Sequence, residues 1–281
     1  MLAKISFLTA FVALSFALPA TAEEIRNPLK NGKNGETWNE LRYDVFEDRE
    51  IKDGAGLFTL DAPYRAHDAA IVPVTILQDA DTDLTIEKLT LIVDENPAPV
   101  VAEFEFGPAM GAVDLETRIR IDLYSNVRAI VEASDGQLYM AGRFVKASGG
   151  CSAPALKDME ASIANAGKMK VRFFSPESEA SSLPKSGDRR EAKVMMRHPN
   201  FSGMQMNQVT QLFIPAFFID QMEVKQGDDL VFKMSAGISI SEDPVFRFKY
   251  TRNGAETFTI HATDTDGSEF GKTFPITDAG I

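Results

Sequence analysis

The sequence predicts a mostly β protein made of two antiparallel β-sandwich domains, joined by a short helix and a linker. Three observations lead to this prediction. Short segments in which apolar and polar residues alternate recur in both halves of the chain. Turn signals separate these segments at the spacing typical of sandwiches. Only one short stretch, near the middle of the 281-residue chain, has helical spacing.

The clearest strand of the first half alternates apolar and charged side chains. Its apolar positions are Leu115, Thr117, Ile119, Ile121 and Leu123, and charged residues stand between them. Ser134-Asp135-Gly136 is a hairpin signal between two further strands, 127–133 and 137–146. Earlier candidate strands are 70–77, 86–93 and 101–106, and Asn96-Pro97-Ala98-Pro99 separates the last two.

A helix and a linker are predicted between the halves, over residues 154–190. Pro154 suits the first turn of a helix, where a missing N–H costs little. Leu156, Met159 and Ile163 have helical spacing, and Gly167 is a plausible stop. The following stretch, 175–193, is rich in Ser, Glu, Pro and charge, which is typical of a linker.

The second half, residues 191–281, again predicts strands and no helix. Its candidate strands are 193–197, 213–224, 229–235, 245–251 and 256–262. Asn253-Gly254, between the last two, is a strong signal for a type I′ hairpin.

The first 22 residues have the pattern of a secretory signal. Lys4 precedes an apolar run over 5–18, and Ala20 and Ala22 form a small-x-small cleavage site. The mature chain is therefore expected to begin at Glu23. Together with the low cysteine count, this predicts a bacterial periplasmic protein without membrane insertion after signal removal.

The charge balance narrows the class of partner. The formal net charge is −12 and the pI is about 4.8. An acidic surface repels nucleic acid and anionic lipid, so neither is an expected partner. A soluble protein that meets cationic partners, such as a basic cytochrome, fits this charge.

The single cysteine, Cys151, is the main candidate for chemistry. It cannot form an internal disulfide, and two glycines, Gly149 and Gly150, stand directly before it. Such a segment packs poorly and suits a mobile arm that presents a thiol. Ser152 is a candidate N-cap, so the thiol is expected at a helix N-terminus with a pKa below the reference of about 8.5. The alternative is a small buried apolar side chain.

The usual enzyme constellations are missing from the sequence. It contains no Cys-x-x-Cys pair, no His-Glu-x-x-His motif, no Gly-x-Ser-x-Gly elbow and no Walker or Rossmann fingerprint. His67 reads as a turn residue and His261 as a structural strand residue, while a Cys–His pair would need a histidine beside Cys151 in space. A carrier without its own catalytic constellation is the prediction, with no cofactor beyond a covalent adduct.

Two metal hypotheses rank below the carrier. A copper(I) site would use soft thioethers and an imidazole, from Met195, Met196, His198, Met204 and Met206. The alternative is that these residues fill a strand and a loop. Asp264-Thr265-Asp266-Gly267 resembles the start of a calcium loop, but it lacks the glutamate at the twelfth position and is more simply a turn.

Motifs in both halves resemble a known pair of proteins. The first half resembles SoxY, the sulfur-carrier subunit of the periplasmic Sox system for thiosulfate oxidation, in Ala66-His67-Asp68-Ala69-Ala70, Asn96-Pro97-Ala98-Pro99, Phe104-Glu105-Phe106 and the segment around Cys151. The second half resembles SoxZ, its partner, in Met196-Arg197-His198-Pro199, Ile214-Pro215-Ala216-Phe217-Phe218-Ile219 and Asp243-Pro244-Val245-Phe246-Arg247-Phe248. The whole is most similar to fused SoxYZ-like carriers associated with quinoprotein dehydrogenases.

The resemblance implies a fold, a site and partners. It implies two immunoglobulin-like sandwiches: a SoxY-like domain over 23–153 that ends in the thiol arm, and a SoxZ-like domain over 191–281. It implies that Cys151 holds a sulfur-containing or other small group covalently, with Gly149 and Gly150 as its arm. Implied partners are Sox-type enzymes or a quinoprotein dehydrogenase and its cytochrome.

Two features depart from the SoxY pattern. Ser152, Ala153 and Pro154 follow the cysteine where SoxY has two glycines near a free terminus, and the chain continues into the second half. An arm tethered at both ends reaches less far into a partner's active site. The alternative function, from a different class, is a non-covalent binding or scaffold module for a quinoprotein dehydrogenase or its cytochrome.

Overall fold

The computed structural model describes residues 28–30, 33–154, 159–174 and 189–276. Two helices lie in these ranges, α1 (Lys33–Phe46) and α2 (Met159–Ala164). The first eight strands are β1 (Ile51–Asp53), β2 (Phe58–Asp61), β3 (Val72–Gln78), β4 (Ile86–Val93), β5 (Val100–Phe106), β6 (Asp114–Ile119), β7 (Ser125–Ala133) and β8 (Leu138–Val145). The remaining strands are β9 (Met169–Phe174), β10 (Arg189–Met196), β11 (Ile219–Gln226), β12 (Asp229–Ala236), β13 (Val245–Thr251), β14 (Thr257–Asp264) and β15 (Glu269–Pro275).

The strands form two sheets, and each sheet contains strands from both halves of the chain. The nine-stranded sheet has the order β1-β8-β7-β4-β5-β12-β11-β14-β15, and the six-stranded sheet the order β2-β3-β6-β13-β10-β9. The mostly β, immunoglobulin-like class predicted from the sequence is confirmed. The sequence predicted one sandwich for each half, whereas the strands of both halves share a single pair of sheets.

The two halves meet edge to edge in both sheets. In the larger sheet β5 pairs antiparallel with β12, placing Phe104 opposite Met234. In the smaller sheet β6 pairs with β13, placing Leu115 opposite Phe248. One cluster of buried apolar side chains runs through both halves. The halves therefore pair within one chain and share their sheets and core, and no edge strand is left open at the seam between them.

Local sequence accounts for the strands that were predicted. In β6 the apolar positions Leu115 and Ile119 and the hydroxyl of Thr117 are buried, while the charged residues between them are half-exposed. Gly136 has a φ of 73° in the turn between β7 and β8, which favours glycine, and the predicted hairpin is present.

Three predictions of local structure are wrong. Asn253-Gly254 forms a turn, with φ 90° at Gly254, but the strands on either side belong to different sheets, so they form no hairpin. The predicted strand 213–224 begins only at Ile219. Residues 189–193, expected at the end of the linker, belong to β10, which pairs with β9 on one side and β13 on the other.

Among the described residues, the predicted helix is present over only part of its expected range. Helix α2 covers Met159–Ala164, and residues 151–154 are not helical. Gly167, the expected stop, has a φ of 80° just after the helix. Residues 155–158, most of the expected linker and the expected signal segment lie outside the described residues. Within the described ranges, no helix is both long and apolar enough to span a membrane.

Helix α1 was not predicted, although it covers a sheet face. Trp38 and Phe46 pack with Ile92, Ile130 and Leu138 of the nine-stranded sheet. Polar residues separate the few apolar ones in this helix, so its sequence pattern is weak.

Candidate functional site

The segment that carries Cys151 is docked onto the first half of the protein. We call residues 146–152 the thiol arm. The backbone N–H of Gly149 donates to the carbonyl of Asp122 at 2.7 Å, and that of Gly150 donates to the carbonyl of Ile121 at 3.0 Å. These two bonds fix the thiol arm along the chain that continues from β6.

The two glycines allow the thiol arm to dock closely, whereas the sequence predicted that they would make it mobile. A Cβ on Gly150 would lie 2.1 Å from the carbonyl oxygen of Ala69 and 2.6 Å from that of Ile121, so no side chain fits there. Gly149 has a φ of 77°, in the left-handed region that favours glycine. The mobile, exposed arm predicted from Gly149 and Gly150 is therefore not what the structure shows.

The second half closes the site from the other side. The hydroxyl of Ser202 donates to the carbonyl of Cys151, and the hydroxyl of Ser239 forms a hydrogen bond with the thiol. Arg120 joins the two sides, since its Nη1 donates to the Gly150 carbonyl at 3.1 Å and its Nη2 to the Asn200 carbonyl at 3.3 Å. The thiol thus lies at the seam between the halves.

The side chain of Asn96 connects the residues around the thiol through three hydrogen bonds. Its side-chain amide donates to the carbonyl of Arg120 at 2.8 Å and to Oγ of Ser239 at 2.9 Å. Its oxygen accepts from the backbone N–H of Asp122 at 2.8 Å. The Asn96-Pro97-Ala98-Pro99 turn between β4 and β5 therefore orients groups of both halves around the thiol.

The Cys151 thiol is buried and weakly acidic. Its exposed fraction is 0%. Burial, and then the charge of Asp122, raise its pKa to about 11, against the opposing effects of Arg120 and the Ser239 hydrogen bond. The prediction of a lowered pKa is wrong for two reasons: no helix begins at Ser152, and the sulfur is removed from water. The Ser152 hydroxyl instead donates to the Gly149 carbonyl at 3.4 Å.

Arg120 is the unusual charge of this site. It is 1% exposed, and burial lowers its pKa, opposed by the charges of Glu242, Cys151 and Asp68 in that order. Its Nε has no hydrogen-bond partner among the described residues. A buried guanidinium beside a neutral thiol favours negative charge on that sulfur, or on a group attached to it.

The three histidines take no part at the thiol, since none is among the groups that act on it. His67 is exposed in the loop before β3, and His261 lies on the exposed side of β14. His198 is buried, with Nδ1 2.7 Å from the Asn200 side-chain oxygen and Nε2 3.6 Å from an Asp264 oxygen.

The copper hypothesis gains no support. Met195 is half-exposed and Met196 is buried, as expected for neighbours on opposite faces of β10, and both ring nitrogens of His198 face protein groups. Across the described ranges, no group of three or more His, Cys, Asp or Glu side chains could hold a metal ion. Asp264 accepts the backbone N–H groups of Asp266 and Ser268, so the expected turn is confirmed.

Sequence reasoning missed the residues that surround the thiol. Arg120 continues the charged face of an alternating strand, which predicts exposure, and only the docking of the thiol arm and the second half buries it. Ser202 and Ser239 are common polar residues with no motif around them. The Asn96 turn could have been found, because Asn96-Pro97-Ala98-Pro99 is one of the motifs that carry the resemblance to SoxY.

Two family models match the chain in tandem. The model "Sulfur oxidation protein SoxY" matches residues 42–151, and the model "Sulphur oxidation protein SoxZ" matches residues 180–275. The first match ends on Cys151. Among the curated proteins, none matches this sequence.

Several solved structures share local similarity with the chain. The sulfur carrier protein SoxY from Chlorobium limicola f thiosulfatophilum is 25% identical, with a TM-score of 0.35, over 41% of this chain and 94% of its own. A superoxide reductase (neelaredoxin) variant E23A from Ignicoccus hospitalis is 16% identical, with a TM-score of 0.29, over 33% of this chain and 82% of its own.

The fold and the site define a two-sheet, immunoglobulin-like protein with one cysteine at the seam of its halves. The chain carries a SoxY domain followed by a SoxZ domain and belongs to the fused SoxYZ-like proteins. The two domains together support a sulfur-carrier role.

Proposed function

We propose that this chain is a periplasmic carrier that holds a sulfur-containing or other small group covalently on Cys151 and presents it to partner enzymes. The observation that carries the proposal is the position of Cys151, which ends the SoxY match and directly follows two glycines, at the seam of the two halves. Residues 1–22 act as the export signal in this proposal. The domains are 23–153, which ends in the thiol arm, and 191–281, with 154–190 between them.

The buried thiol requires the thiol arm to leave its docked position during loading and delivery. Around the thiol it is held by the backbone contacts of Gly149 and Gly150, the hydroxyls of Ser202 and Ser239 and the Arg120 guanidinium, and at its start by two backbone bonds of Lys146. Each net hydrogen bond contributes about 1 kcal/mol, so the arm can open without unfolding the sheets. When docked, it shields the adduct from water, and Arg120 favours a negatively charged group on the sulfur.

The loading step is a transfer of one sulfur atom. The Cys151 thiolate attacks the outer sulfur of a persulfide donor, R–S–SH, and forms Cys151–S–SH. The donor's S–S bond breaks, and the donor leaves as a thiol that takes up the proton lost by Cys151. No net oxidation occurs. Proposed partners are periplasmic redox enzymes, either Sox-type enzymes or a quinoprotein dehydrogenase with its cytochrome.

The experiment is treatment of the purified protein with glutathione persulfide, followed by intact-mass analysis. We expect the mass to increase by one sulfur atom, in a form that dithiothreitol removes. The Cys151→Ser variant, which lacks the only thiol, should remain unmodified. A wild-type protein that stays unmodified after long incubation, while the unfolded chain reacts, would exclude loading.

A second function is favoured by one observation, the complete burial of the thiol. In that function the chain is a non-covalent binding or scaffold module for a quinoprotein dehydrogenase or its cytochrome, and Cys151 only fills space. The same Cys151→Ser variant separates the two. Cells that carry it should lose the pathway's activity if Cys151 is a carrier, and keep it if the protein is a scaffold.

A further inference from the structure

A cationic cleft lies on the outer face of the six-stranded sheet, where β6 of the first half meets the strands of the second half. Its volume is about 590 Å³, and five basic residues line it: Arg118, Lys168, Lys170, Lys193 and Arg197. In a chain with a formal net charge of −12, such a concentration of positive charge is unexpected. Cys151 is not among the residues that line it.

Strand register places an apolar floor between the cations. Met195 of β10 lies opposite Lys170 of β9 on one side and Val245 of β13 on the other. Arg118 follows on β6, where its Nη2 donates to the carbonyl of Asp243 at 3.2 Å. A methionine and a valine therefore form the centre of the cleft, with a lysine at one end and an arginine at the other.

The positive charge of the cleft exceeds the negative charge. Two carboxylates line it, Glu242 and Asp243, and Asp243 is paired with Arg197 at 2.5 Å. In the part of the chain that the structure describes, neither Lys170 nor Lys193 has a carboxylate within salt-bridge distance. The charge left over favours a negatively charged ligand.

Arg118 provides an independent sign that a partner is missing. Its Nε is buried and has no hydrogen-bond partner among the described residues. A buried donor without a partner is costly, by about 1–3 kcal/mol. Since this Nε has no exposed surface, an oxyanion in the cleft can reach the guanidinium only through its Nη groups.

We propose that this cleft binds a small organic anion, a sulfonate or a carboxylate with a compact apolar body. The apolar body packs on Met195 and Val245, and the oxyanion lies at the end of the cleft that Lys170 and Lys193 form. Methionine adapts its shape to a flat or irregular ligand at little cost. The binding needs no chemistry at Cys151 and goes beyond the carrier function.

The test is isothermal titration of the purified protein with naphthalene-2-sulfonate, compared with the neutral naphthalene-2-sulfonamide. The sulfonate should bind saturably at one site, and the sulfonamide at least tenfold more weakly. The double variant Lys170→Gln/Lys193→Gln should bind the sulfonate at least tenfold more weakly than wild type.

A matched control removes two lysines elsewhere. Lys88→Gln/Lys233→Gln changes the net charge equally on the nine-stranded sheet, and it should leave the affinity unchanged. Thermal unfolding checks that both double variants are folded. Absence of saturable binding, equal affinity for the sulfonamide, or an equal loss in the control variant would each overturn the proposal.

Discussion

Replacing Gly150 with alanine is expected to speed alkylation of Cys151 by about 100-fold at about pH 8. The added Cβ would lie 2.1 Å from the Ala69 carbonyl oxygen, so the thiol arm cannot dock as it does in wild type. Undocking returns the thiol to water, and its pKa falls from about 11 to the ordinary 9.0. Two pKa units change the thiolate fraction about 100-fold.

The measurement is the rate of reaction with iodoacetamide as a function of pH, for wild type, Gly150→Ala and the unfolded chain. The variant should follow the unfolded chain. Gly136→Ala is the control for a glycine-to-alanine change away from the thiol arm, because an added Cβ there meets nothing within 4 Å. A folded wild type that already reacts as fast as the unfolded chain would show that the thiol is not sequestered.

The same shift makes docking of the thiol arm depend on pH. The docked thiol has a raised pKa, so docking favours the protonated form. The contribution of the protonated thiol to the stability of the docked arm is therefore fully present below about pH 9 and is lost as the pH rises towards 11. Wild-type and variant alkylation rates should accordingly converge at high pH.

The Asp94→Asn variant is expected to lose about 3–5 kcal/mol of the free energy of unfolding. The Asp94 carboxylate is fully buried and accepts hydrogen bonds from Arg128, whose side chain is 4% exposed, with Nε to Oδ1 at 2.8 Å. Arg128 also stacks on Trp38 of α1, at 4.3 Å from the ring centroid. Removing the carboxylate charge leaves a buried guanidinium without a counter-charge. Burial raises the pKa of Asp94, and the hydrogen bonds and charge of Arg128 oppose this rise.

Urea unfolding measures this loss. Glu132→Gln is the control, since it breaks a surface ion pair with Arg49. The side chain of Arg49 is 45% exposed and that of Glu132 is 26% exposed. That change should cost less than about 1 kcal/mol. A double variant, Asp94→Leu/Arg128→Met, should be more stable than Asp94→Asn, because it leaves no charge behind. A loss in Asp94→Asn no larger than in the control would contradict this account of the buried pair.

The sequence predicted the strands whose burial alternates or is nearly complete. β4 and β13 were predicted at their observed bounds, because the last five residues of β4 are all buried and burial alternates along β13. β15 and α1 were missed for the opposite reason: β15 is almost wholly exposed, and the buried residues of α1 are spread among polar ones. The sharing of both sheets by the two halves depends on contacts distant in sequence, which no local pattern contains.

Some residues of the candidate site were likewise predicted from the sequence, and others were missed. Cys151 was predicted correctly as the residue to examine, because it is a single cysteine after two glycines. The glycines were expected to make the arm mobile, but they allow it to dock closely. The sequence shows that a glycine backbone is free to move, but it does not show which groups pack against that backbone. The sequence did not predict Arg120 as a site residue, since its burial arises from contacts with residues 150 and 200, which are distant in sequence. The expected helix at Ser152 relied on local capping signals, which the contact between Cys151 and Ser202 overrides.

The central claim is that Cys151 carries a covalent group in the cell. The most direct measurement is the intact mass of the protein purified from its native host without reductant, followed by peptide mapping. The account predicts a population with added mass that maps to Cys151 and is absent in Cys151→Ser. A protein found only as the unmodified free thiol, both while the pathway is active and after it is blocked downstream, would contradict it.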